Sequence, residues 1–99
     1  MQYPMNKVFD KVDVICEMKS DGTVIPIKFR LMNEDGDYEF YKVNSYRAVP
    51  KQGAYTTKDN LFVCNSTEIF ECKVAIFGLI RTVRLYYEPK SGNTWKLAV

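Results

Sequence analysis

The chain has 99 residues, of which 46% are hydrophobic and 14% aromatic, and 14 Lys and Arg against 12 Asp and Glu leave a net charge of +2. That length suits one domain with one core. The charge is too small for a strongly basic nucleic-acid binder. The absence of histidine removes the usual neutral-pH base, and with it Cys–His chemistry.

Taken in chain order, residues 1–10 read as a lead-in, and Pro4 keeps an early strand there from being central. Val12 to Lys19 alternates, with Val12, Val14, Cys16 and Met18 on one face. Ser20-Asp21-Gly22 follows, and Asp-Gly between alternating runs predicts a hairpin. The returning strand, Thr23 to Leu31, puts Ile25, Ile27, Phe29 and Leu31 inward, with Lys28 and Arg30 outward. Pro26 falls in its outward set, so this strand is expected to start on an edge or to carry a bulge.

Asn33 to Asp37 contains a second Asp-Gly turn, and Tyr38 to Tyr46 is a third strand with Tyr38 and Phe40 on one face and Tyr41 and Val43 on the other. A bulge or burial on both sides would reconcile the two sets. Arg47 to Asn60 is the longest polar stretch, a loop with room for a short strand near Ala54-Tyr55 and a candidate lid by position. Leu61–Cys64 is a short strand, and Ile69 to Phe77 is another. Over 66–77 a helix competes, because Asn65 and Glu68 are spaced as a capping box and Phe70, Val74 and Phe77 fit helical spacing. The period-2 alternation of Phe70, Cys72, Val74 and Ile76 is cleaner, and strand is preferred. Leu79 to Glu88 alternates again, Pro89 to Asn93 is a turn, and Thr94-Trp95-Lys96-Leu97 closes the chain with Trp95 and Leu97 in the core. The expected fold is all-β, a single small antiparallel barrel or strongly curved sheet of six to seven strands, SH3-like or OB-like, because a short open sheet leaves exposed edges.

The three cysteines, Cys16, Cys64 and Cys72, form neither a CxxC pair nor an even set. This disfavours a disulfide framework or zinc site and favours buried thiols in a reducing compartment. No apolar run reaches the roughly 20 residues of a membrane helix, and the N-terminus lacks the apolar core of a signal peptide. The expectation is a cytoplasmic protein that does not engage a membrane. Glu34, Asp35 and Asp37 lack the ligand spacing of a calcium loop and read as a solvated turn. No catalytic, cofactor or metal motif emerges.

Val12–Ile15, Asp21-Gly22, Pro26–Arg30, Leu61–Cys64, Arg84–Glu88 and Trp95–Leu97, in that order, resemble a group of short proteins of clostridia and related Firmicutes that carry no assigned activity. The resemblance spans about residues 10–97 and implies a bacterial, soluble, compact β protein without catalysis.

What remains is a face. Lys28, Arg30, Arg84, Tyr86 and Lys96, joined by Tyr41 or Lys42, are the candidate binding residues, since cations beside rings suit single-stranded nucleic acid. Outward Ile15, Ile80 and Tyr86 instead suggest a sticky surface for a protein partner or a homodimer. The low charge favours the second. The expected function is therefore a non-enzymatic binding module acting in protein–protein or self-association, with a nucleic-acid-binding β-barrel as the alternative.

Overall fold

The structure, a computed structural model, describes residues 7–76 and 78–99. Phe77 and most of the lead-in, residues 1–6, lie outside the described residues. The strands are β1 (Val8–Phe9), β2 (Asp13–Met18), β3 (Val24–Met32), β4 (Tyr38–Ala48), β5 (Tyr55–Thr56), β6 (Phe62–Val63), β7 (Glu68–Ile76), β8 (Leu79–Glu88) and β9 (Thr94–Ala98). Seven of them form one antiparallel sheet in the order β1-β9-β8-β7-β4-β3-β2, and β5-β6 make a separate hairpin. The lead-in thus contributes an edge strand, with Val8 opposite Ala98 and Phe9 opposite Leu97.

β1 and β2 occupy opposite ends of this order, yet only residues 10–12 separate them. The four steps from Phe9 to Asp13 reach at most about 14 Å when extended, so the sheet must curl until its two ends approach each other. Val12 donates its N–H to the Trp95 carbonyl of β9 at 3.2 Å, and Val99 donates to Lys7 at 2.9 Å. The result is a half-barrel.

Its inside holds the core: Phe29, Tyr41, Val43, Phe70, Val74, Val83, Leu85, Trp95 and Leu97 are all buried. The period-2 pattern puts them there, since alternate residues of each strand share a face. Trp95 lies 4.7 Å from Tyr87 and 6.1 Å from Phe70, centroid to centroid. This packing ties β7, β8 and β9 together, each ring pair adding about 0.5–1.5 kcal/mol beyond burial. Strand, not helix, holds over Glu68–Ile76, with Phe70, Cys72, Val74 and Ile76 inside.

Two bulges shift the phase. In β2–β3, Ile15 pairs with Lys28 but Cys16 pairs with Pro26, which leaves Ile27 without a partner. Before this bulge Val24 and Pro26 face the core, and after it Phe29 and Leu31 do. The inward assignment of Ile25 and Ile27 and the outward one of Pro26 are therefore corrected. Proline cannot donate to the ladder, so a bulge beside it sacrifices little. In β4, Val43 pairs with Val74 and Ser45 with Lys73. Tyr41 and Val43 are inside, and Tyr38 and Phe40 are outside.

The segment expected to be a loop, Arg47–Asn60, begins as the end of β4 and continues into β5. The β5–β6 hairpin folds back over the outer face of the sheet. There Val63, Ile69, Tyr86 and Ala98 form a second buried cluster with Val8, Val49, Tyr55 and Leu61 against it. Among the described residues, no helix is long and apolar enough to cross a membrane.

Candidate functional site

The hairpin covers one part of the outer face and leaves the β2–β3–β4 part open, and this division sorts the candidate residues. Arg84 and Tyr86 lie under the hairpin. The turn after β5 closes with Asn60 donating to the Thr57 carbonyl at 2.9 Å. Asn60 has φ +64°, a left-handed conformation that asparagine tolerates. This turn delivers Asp59 to Arg84, whose Nε and Nη2 each donate to the carboxylate at 2.5 Å. Tyr86 Oη donates to the same carboxylate at 2.5 Å. Burial alone would raise the Asp59 carboxyl, but the Arg84 and Tyr86 hydrogen bonds outweigh it and hold it below its ordinary value. Burial, and then Asp59, pushes the Tyr86 phenol up to about 12. This is a buried clamp that fastens the hairpin. Arg84 and Tyr86 are not part of an exposed binding face, and Tyr86 is not part of a sticky one.

Tyr41 points inside and stacks on Phe29 at 5.4 Å. Of the two residues expected to join the face from β4, Lys42 does so. Lys96, opposite Tyr86, lies beyond the hairpin and lines a separate groove with Lys11, Phe62, Cys64 and Glu88. Strands β8, β7 and β4 separate it from Lys28 and Arg30.

Cys64 is exposed, which corrects its assignment as a buried thiol. Its Sγ donates to Glu88 Oε1 at 3.4 Å. The Ser66 and Thr67 hydroxyls donate to the same carboxylate at 2.8 and 2.7 Å, and the Lys90 N–H does so at 3.1 Å. Burial raises the Glu88 carboxyl, but these donors prevail and hold it at about 2. An anion as the thiol's neighbour is the reverse of the electropositive setting that activates a cysteine. The Asn33–Asp37 turn is organised by Asn33 Oδ1, which accepts from the Asp35 and Asp37 N–H groups. No acidic or thiol cluster able to hold a metal occurs among the described residues.

Lys28 and Arg30 lie where the sequence puts them, on the open face. The cross-strand register sets Ile15 beside Lys28 and Asp13 beside Arg30 on one side. On the other side it sets Lys42 opposite Lys28, Phe40 opposite Arg30 and Tyr38 opposite Met32. Phe40 is 60% exposed, Met32 57%, Ile15 51% and Tyr38 45%. The Arg30 guanidinium lies 3.9 Å from the Tyr38 ring centroid, and Lys28 Nζ lies 5.6 Å from that of Phe40. Arg30 Nε also donates to Asp13 at 2.8 Å, which fixes it over Tyr38. Between Ile15 and Phe40 runs a shallow groove of about 260 Å³ whose lining includes Lys28 and Arg30. Phe40, Tyr38 and Met32 are the residues that sequence reasoning missed. Strict alternation back from Val43 would have placed both rings outside.

The arrangement can hold an anion over exposed rings. Lysine directly opposite lysine destabilises an antiparallel pair. Among the described residues, neither Lys28 nor Lys42 is ion-paired with a carboxylate. No family model, no curated protein and no solved structure matches this chain.

Proposed function

We propose that the chain is a non-enzymatic binding module that takes an anionic macromolecular partner on the outer face of β2–β3–β4. One observation carries this reading: Lys28 faces Lys42 across the sheet without a carboxylate, in the middle of an exposed apolar and aromatic patch. Folding gains nothing from that pair, whereas an anion laid across it relieves the repulsion. The groove is below the usual size for a small-molecule site, which favours a partner lying over the surface to one entering it.

A homodimer through this face is disfavoured. Twofold symmetry would bring the Lys28, Arg30 and Lys42 groups of both copies into one interface. The two most heavily bonded carboxylates have structural commitments. Asp59 fastens the hairpin, and Glu88 joins the 64–67 turn to the end of β8.

The test is Lys42→Glu, compared with the unmodified protein in denaturant unfolding and in binding to two unlike polyanions, poly-L-glutamate and an oligodeoxythymidine. Relief of the like-charge pair should raise stability by about 0.2–1 kcal/mol while binding is lost. A variant that is no more stable and binds as well would contradict the reading, as would wild-type protein that binds neither polyanion at low salt.

A further inference from the structure

We infer that the occupant of this face is a single strand of nucleic acid, with its bases on Phe40 and Tyr38 and its phosphates at Lys28, Lys42 and Arg30. The inference rests on the reading above, and it adds the partner's chemistry.

An acidic protein surface would satisfy the cations, and the rings decide between the two. Tyr38 and Phe40 stand two residues apart on one face of β4, about 6.8 Å from one another along the strand. Phe40 can therefore carry one base on its ring and the Tyr38 position a second, stacked over the Arg30 guanidinium that covers that ring. Flat rings exposed beside cations are the pairing that unstacked bases and their phosphates require, and stacking is tolerant of base identity. The Arg30 guanidinium is already held over Tyr38 by Asp13 and offers a second stacking plane. The face has a groove only about 260 Å³ in volume, whereas a protein partner anchors through a central, fully desolvated pocket. A duplex hides the base faces that these rings would meet, which selects a single strand.

The experiment measures binding to three probes at a series of salt concentrations. They are an oligodeoxythymidine, the abasic deoxyribose-phosphate oligomer of the same length, and poly-L-glutamate. The oligodeoxythymidine should bind tightest, with affinity falling against salt at a log–log slope of about −1.4 to −2, as neutralising two to three phosphates requires. Phe40→Ala should weaken it about tenfold and leave the abasic oligomer unchanged. Phe40 is largely exposed, so the variant keeps its fold, and Tyr38→Ala repeats the test at the second ring. Equal binding of the abasic oligomer, or tighter binding of poly-L-glutamate, would overturn the nucleic-acid assignment while leaving an anion-binding face in place. Binding of none of the three would overturn both.

Discussion

Arg30 and Arg84 both project from the outer face of one sheet, and their surroundings give them opposite work. Arg84 is largely buried against Asp59, whose side chain is 3% exposed. Removing it leaves a buried carboxylate uncompensated, so Arg84→Ala should cost about 3–5 kcal/mol in denaturant unfolding. Arg30 pairs with an Asp13 side chain that is 65% exposed, and Arg30→Ala should cost less than about 1 kcal/mol. Equal costs would show that the clamp is not what fastens the hairpin. In the sequence these two arginines are indistinguishable, each an outward cation on an alternating strand. What separates them is Asp59, which is 25 positions from Arg84 and reaches it only because the β5–β6 hairpin folds back. Alternation tells which residues share a face. It does not tell which face a remote segment will cover, and so Arg84 and Tyr86 read as exposed.

At the scale of elements, the strands were legible wherever alternation ran between Asp-Gly turns. Gly22 and Gly36 have φ of +89° and +85°, the backbone that Asp-Gly signals. Phase was harder to read. A bulge at Ile27 swaps the inward set of β3 halfway along, and nothing local to that run marks it except the neighbouring Pro26. In β4, Tyr41 and Phe40 are adjacent aromatics, and the more polar of the two is the buried one, so hydropathy points the wrong way and only alternation back from Val43 marks Phe40 as the outer ring. Between elements, Glu88 is the joint that its pH dependence can expose. Its ordinary value is 4.5 and its folded value about 2, so the unfolded chain takes up the proton first as pH falls. Its contribution is thus full above about pH 4.5 and is lost between there and about pH 2. Asp59, also held low, adds to the loss below its ordinary value. Glu88→Gln should flatten the fall in urea midpoint across that window, and an unchanged slope would mean that the bonds from Ser66 and Thr67 contribute nothing there.

The whole molecule is a curled sheet with its inside filled and its outside shared between a cover and an opening. The curl follows from the short path between β1 and β2, and the cover follows from the apolar underside of the hairpin. The open part carries Ile15, Met32, Tyr38 and Phe40 at 45–60% exposure, beside the cations Lys28, Arg30 and Lys42 and the β2 carboxylates Asp13 and Glu17. Exposed apolar residues gathered in one patch are what the proposed contact site rests on. Net charge concealed it, because +2 over the chain averages this face with the acidic turns. The most direct measurement is a map of amide and methyl chemical-shift changes in the labelled protein as an oligodeoxythymidine is added at low salt. Changes gathered on Ile15, Lys28, Phe40 and Lys42 are the predicted result. Changes gathered instead around Lys96 and Lys11, beyond the hairpin, would contradict it.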